Sequence, residues 1–268
     1  MGKRAIIYIF LVVLAFGVLF PFFWMVITSF KPLGSGLSMK IIPENPTINN
    51  FKLVLTQYRF SKYFVNSFVV AILGATFSTI FATLAAYAFA KRRFFFKNGL
   101  FLLFLSAMMV PGMMFMIPQF VLVARLGWIN TYRAMVVPHL ANVFGLFLLT
   151  QFIRQIPTSL IEASRIDGAS EIGVIRRVVL PLSMPIVATV FLLSFQFHWN
   201  NFLWQLIVTT KESMYTVPVG LAMFRSAHEE LYTLRMAASS ISIFPIAILF
   251  LFTQRYFIRG LTEGAIKG

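Results

Sequence analysis

Six stretches of the chain carry no Lys, Arg, Asp or Glu: 5–30, 63–90, 98–124, 134–153, 182–210 and 236–254. A helix needs about 20 apolar residues to cross roughly 30 Å of hydrocarbon, and each stretch has that length. The pattern predicts an all-α membrane protein with six transmembrane helices in a single domain over residues 1–268. Strands of a membrane barrel would be shorter and would alternate apolar and polar residues, which these runs do not. Pro111-Gly112 and Pro118 interrupt the third run. Irregular backbone at that depth is tolerated where it is packed in protein or lines a cavity.

The polar segments differ in character. Residues 31–62 hold Gly34, Gly36, Pro43 and Pro46, then a short helical spacing of Phe51, Leu55 and Tyr58. Residues 154–183 are longer and more charged than a simple turn requires. After Pro157, the Ser159-x-x-Glu162 spacing predicts a capping box that starts a helix, and Gly168 fits the left-handed position that ends one. A second amphipathic segment follows, with Ile172, Ile175 and Val179 predicted on its apolar side. Pro181 and Pro185 then open the fifth span. The whole segment reads as a helix–turn–helix lying at the membrane surface.

Composition agrees with this picture. Of 268 residues, 59% are hydrophobic and 12% charged, with 32 Phe and a mean hydropathy of +0.84. Soluble domains carry about 25% charged residues, so this chain needs lipid as part of its solvent. Lys3 and Arg4 before the first apolar run have the look of a secretory signal, but the run exceeds an h-region of about 7–15 residues and no small-x-small cleavage site follows. It is expected to remain as the first span. The net charge of +15 is dispersed over short connections and is no nucleic-acid footprint. With the N-terminus inside, the inner segments hold 13 Lys and Arg in 56 residues and the outer ones 10 in 66, a modest positive-inside bias sharpest at Lys91-Arg92-Arg93. Both termini are therefore expected in the cytoplasm. There is no cysteine, which excludes disulfides and Cys-ligated metals.

One motif is specific. Glu162-Ala163-Ser164-Arg165-Ile166-Asp167-Gly168-Ala169 is followed by Val178-Val179-Leu180-Pro181. It resembles the EAA loop of ABC importer permeases, which reads Glu-Ala-Ala, then Gly six after the Glu, then Ile-x-Leu-Pro ten after the Gly. Ser164 replaces the second Ala and Val178 the Ile. The likeness extends through Asn66-Ser67, residues 86–90, Met109-Val110-Pro111, Ile117-Pro118, residues 126–131, residues 199–204 and residues 218–221. The tail, residues 254–268, looks like that of maltose-type (MalG-like) sugar permeases. Asn201 stands where that pattern often has Asp.

The resemblance implies a type I importer permease fold in a prokaryotic cytoplasmic membrane. Its loop would form a coupling helix seated in a cleft of a separate ATPase, with Glu162, Ala163, Ser164, Arg165, Asp167, Gly168 and Ala169 at the contact. Small residues there let another backbone approach, and the charged ones offer ion pairs or hydrogen bonds. The implied partners are a homologous permease forming a heterodimer, two ATPase copies, an extracytoplasmic solute-binding protein and membrane lipid. No cofactor is expected on this chain; ATP and Mg belong to the ATPase subunits. Consistently, the sequence has no Gly-x-x-x-x-Gly-Lys-Ser/Thr loop and is not expected to be an enzyme.

The solute implied is a sugar or oligosaccharide, the alternative being a polyol or glycerol phosphate. Gln196, Trp199, Asn200 and Trp204 recur at i, i+3, i+4 and i+8, so a continuous helix would put them on one face as a candidate translocation path. They could equally tie helices together. Asn66, Gln119 and Asn142 are further path candidates that read more readily as packing residues, and His139 and His198 read as neutral hydrogen-bonding groups. An ion-coupled secondary transporter would place carboxylates or cations within the membrane. All eight Asp and Glu, at 44, 162, 167, 171, 212, 229, 230 and 263, lie in connections. A non-transporting scaffold would have no use for the loop pattern.

Overall fold

The computed structural model describes residues 2–35, 38, 40–227 and 232–265, and among them all regular structure is helical. In chain order the helices are α1 (Gly2–Ser29), α2 (Asn49–Thr56), α3 (Phe60–Lys91), α4 (Lys97–Ala107), α5 (Met116–Arg125), α6 (Tyr132–Val136) and α7 (Val143–Arg154). They continue with α8 (Thr158–Ile166), α9 (Glu171–Val174), α10 (Leu180–Leu182), α11 (Met184–Asn200), α12 (Leu203–Val208), α13 (Val217–Ala227) and α14 (Tyr232–Ala265). A π-helical turn, Ile175–Val179, joins α9 to α10.

Arg4–Ser29, Phe60–Lys91 and Tyr232–Gln254 are long and apolar enough to cross a membrane unaided. Three further spans involve bent pairs: Lys97–Ala107 with Gly112–Arg125 at 92°, Tyr132–His139 with Val143–Arg154 at 47°, and Met184–Asn200, which meets Glu171–Leu182 of the 154–183 segment at 87°. Counting each pair once gives the six spans expected, but three of them depart from straight rods. The third turns at Pro111, whose φ of −58° and ψ of 124° leave the helical region. The fourth breaks before Asn142, whose side chain accepts from the Gly145 N–H at 2.7 Å and starts α7 afresh. The fifth was expected to run over 182–210; it ends at Asn200, because Asn201 is extended (φ −69°, ψ 103°) and α12 begins separately. Consecutive Asn residues compete with helical hydrogen bonds through their own side chains.

The residues group into two compact units, Met1–Val65 with Thr216–Pro245, and Asn66–Tyr215 with Ile246–Gly268. In the first, the segment after α1 folds back onto its end. The Asn50 amide donates to the Ser29 and Lys31 carbonyls, both at 2.7 Å, and the Phe30 and Phe51 rings pack 5.1 Å apart. Lys31 is buried; its ammonium donates to the Ser38 carbonyl at 2.7 Å and lies 4.5 Å over the Trp24 ring. None of the most apolar window of α1 is buried within the chain, a surface that requires lipid or another protein around it.

Among the described residues of the second unit, two apolar clusters stand out. One joins Ala82, Ala86, Tyr87 and Phe89 of α3 to Leu146, Leu149 and Ile153 of α7 and to Ile161, Val174 and Val179 of the 154–183 segment. The other gathers Val70, Val123, Met135, Trp204 and Val208. Asn66 ties the latter region together: its amide donates to the Ser213 and Tyr215 carbonyls, and its carbonyl accepts from the Tyr132 hydroxyl at 2.7 Å. That is the packing role expected of it.

Candidate functional site

Helix α8 does not start with the expected capping box. Its N-cap is Pro157, with no side-chain cap, and the helix begins at Thr158. Ser159 is therefore already the second helical residue, two positions too late to cap, and Glu162 is left exposed. The other end is as expected. Gly168 has φ +83°, the Gly168 N–H donates to the Arg165 carbonyl and the Ala169 N–H to the Ser164 carbonyl, each at 3.0 Å. Those two bonds make a Schellman ending. Ser170 then caps α9 by accepting from the Gly173 N–H at 3.2 Å.

The apolar face of the second segment also differs from expectation. Val174 and Val179 are fully buried, whereas Ile172 is 75% exposed. The cause is the π turn: with one extra residue per turn, i and i+5 share a face, so Val174 and Val179 align and Ile172 rotates outward. Ile161, Val174 and Val179 seat the loop on α3 and α7, each contributing on the order of 2 kcal/mol.

Of the predicted contact residues, Glu162, Ala163, Asp167 and Gly168 are exposed, and Ser164, Arg165 and Ala169 are half-buried. Arg165 faces its own chain. Its Nε donates to Glu171 Oε1 at 3.1 Å, and one terminal nitrogen donates to the Tyr87 hydroxyl at 3.2 Å. The Tyr87 hydroxyl donates to Glu171 Oε2 at 2.7 Å, and Arg92 pairs with Glu171 Oε1 at 3.1 Å. The Tyr87 hydrogen bond, then Arg165 and Arg92, hold the Glu171 carboxyl below the ordinary carboxylate value. Lys91 donates to the Arg154 and Ile156 carbonyls at the end of α7. Tyr87, Lys91, Arg92 and Glu171 were not predicted as site residues, since their partners lie 63 to 84 residues away.

Of the four predicted path residues, Gln196, Asn200 and Trp204 line one cavity and Trp199 does not. Gln196 and Asn200 are exposed and line a cavity of about 760 Å³ together with Gln119, His139, Asn201 and Trp204. Trp199 is buried and stacked on Phe195, with centroids 5.7 Å apart, away from that lining. Trp204, beyond the break, directs its indole N–H to the Ala134 carbonyl at 2.8 Å. A second cavity of about 540 Å³ shares Gln119, His139, Leu193 and Phe197 with the first, and no Lys, Arg, Asp or Glu lines either. Gln119, read from sequence as a packing residue, and His139, read as a neutral hydrogen-bonding group, are the polar residues common to both. Asn142 donates to Ser194 at 2.9 Å on the wall of the second. His198 packs so close to α3 that a Cβ on Gly74 would lie 2.4 Å from its ring. Among the described residues, no three His, Asp or Glu converge to hold a metal.

The profile of a family described as "binding-protein-dependent transport system inner membrane component" matches residues 78–263. The chain is 35% identical over 260 residues to the arabinooligosaccharides transport system permease protein AraQ of Halalkalibacterium halodurans, covering 95% of this chain and 93% of that one. It is 35% identical to the trehalose/maltose transport system permease protein MalG of Thermococcus litoralis, covering 99% and 98%. It is 32% identical to the diacetylchitobiose uptake system permease protein DasC of Streptomyces coelicolor, covering 96% and 95%. In fold it is similar to a solved bacterial ABC transporter involved in the import of the acidic polysaccharide alginate, with a TM-score of 0.84 at 22% identity over 95% of this chain and 96% of that one.

Proposed function

The chain belongs to the family of binding-protein-dependent transport system inner membrane components, and we propose on that premise that it forms half of the pore through which a neutral sugar or oligosaccharide enters the cell. Its partners in this reading are a homologous permease, two ATPase copies that hold ATP and Mg, and an extracytoplasmic binding protein. Both termini and the 154–183 segment face the cytoplasm. The observation that carries the function is the exposed end of α8. Glu162, Ala163 and Asp167 point away from the chain beside a left-handed Gly168, while the inner side of the same segment is anchored to α3 and α7. Such an element can receive a push from an ATPase and pass it to membrane helices.

The sugar assignment rests on what the relatives are named for and on the cavity. Its polar lining is Gln119, His139, Gln196, Asn200 and Asn201 beside Trp204, uncharged hydrogen-bonding groups and an aromatic face suited to a neutral polyhydroxylated solute. A glycerol phosphate would require a cationic group that neither cavity supplies. Co-expression with the second permease, ATPase and binding protein of the same genome, followed by reconstitution in vesicles, tests this. ATP-dependent uptake of labelled arabinotriose, trehalose or maltose is expected, and only with all components present. Uptake by this chain alone, or driven by an ion gradient without ATP, would overturn it.

A further inference from the structure

The Glu171 cluster has a geometry its contribution to stability does not explain. Its ion pairs are accessible, with Arg92 at 47%, Arg165 at 34% and Glu171 at 43% side-chain exposure, and pairs so exposed contribute roughly 0–1 kcal/mol. The fold of the loop is already held by buried Ile161, Val174 and Val179. What the cluster adds is direction. A single carboxylate accepts from Tyr87, near the end of α3, from Arg92, just past it, and from Arg165, in the last turn of α8. Arg165 and Tyr87 also bond to each other, which closes a triangle whose three sides are 2.7, 3.1 and 3.2 Å. An apolar layer lets one helix slide or rotate on another, whereas three charge-assisted bonds to one carboxylate fix orientation. Lys91, four residues after Tyr87, holds the entry of the same segment through the Arg154 and Ile156 carbonyls. The end of α3 therefore grips the loop at both its entry and its turn.

We propose that Glu171, with Tyr87 and Arg92, is a positioning clamp that makes α8 and the span Phe60–Lys91 move as one body, so that displacement of the ATPase contact becomes displacement of a pore helix. The clamp rests on the reading of α8 as that contact. It acts through Arg165 and is not itself part of the docking face. Glu171→Gln keeps the shape but weakens two ion pairs, Tyr87→Phe removes the hydroxyl that bonds both Arg165 and the carboxylate, and Arg93→Gln removes a neighbouring exposed charge outside the cluster.

Two readouts on the reconstituted four-component importer test it. In the first, ATP hydrolysed per labelled sugar imported should rise about tenfold in Glu171→Gln and Tyr87→Phe and stay unchanged in Arg93→Gln, with the ATPase still co-purifying in all three. In the second, amide hydrogen exchange over 162–170 should speed up in the first two variants alone. The absence of cysteine in this chain permits a third arm. Arg92→Cys with Glu171→Cys should be uncoupled, and a short bis(methanethiosulfonate), which joins the two thiols through disulfides with loss of sulfinate, should restore coupling until reduction releases it, which a merely structural role would not produce. Unchanged coupling and exchange in Glu171→Gln would overturn the clamp. A wild-type complex that never retains the ATPase would instead overturn the docking reading on which it rests.

Discussion

At Gly168 the constraint is backbone and not space. Its φ is +83°, yet a Cβ there would meet nothing within 4 Å in this chain. A β-branched side chain in that region costs about 1–2 kcal/mol, while Asn visits it readily. Gly168→Val should therefore lose the Schellman ending and abolish coupled uptake with the spans still inserted. Gly168→Asn should keep the ending and retain more uptake than Val, both read in vesicles against binding-protein-stimulated ATP hydrolysis. Normal coupled uptake by Gly168→Val would show that this turn transmits nothing. Gly74 is the opposite case, limited by space: a Cβ would lie 2.4 Å from the His198 ring. Gly74→Ala should lower stability in detergent by about 1–3 kcal/mol, and adding His198→Ala should recover part of the loss, because the two residues share one gap. Additive losses in that double variant would mean the helices do not pack as described.

The helices themselves were legible wherever apolar length decided the outcome. Six spans, the short helix after Phe30, the left-handed stop at Gly168 and the exposed Glu162 and Asp167 all follow from local pattern. What the pattern missed came from non-local or non-α geometry. The helix breaks at Asn201, so Trp204 reaches the cavity lined by Gln196 and Asn200 from a separate helix, while Trp199 turns away to stack on Phe195. The π turn over Ile175–Val179 exchanges Ile172 for Val174 on the buried face, because a 3.6-residue period cannot represent an inserted residue. Tyr87 and Glu171 meet across 84 residues and leave no mark on either local sequence. The exchange of faces can be checked directly. Val174→Ser should cost about 2 kcal/mol, and Ile172→Ser should stay within roughly 0.5 kcal/mol, both by thermal unfolding of the purified complex. The reverse order would mean that the segment is an ordinary α-helix.

For the molecule as a whole, charge and contact together decide which side of the membrane each connection occupies. Positive charge favours the loop between α3 and α4 and the 154–183 segment on the cytoplasmic side, but the excess over the outer segments is small. Lys91 and Arg92 are engaged with Arg154, Ile156 and Glu171 of the 154–183 segment, so the most basic connection and that segment must share one side. An even number of spans then fixes the remaining connections. Asn45 lies exposed in the segment after α1, and Ser159 lies exposed in the first turn of α8 without a capping role. In the cysteine-free background, Asn45→Cys should react with a membrane-impermeant maleimide applied to intact cells. Ser159→Cys should react only after the membrane is opened, and less so when the ATPase is bound, because α8 is then covered. Labelling of Ser159→Cys from outside would invert the topology and, with it, the side from which ATP could drive this chain.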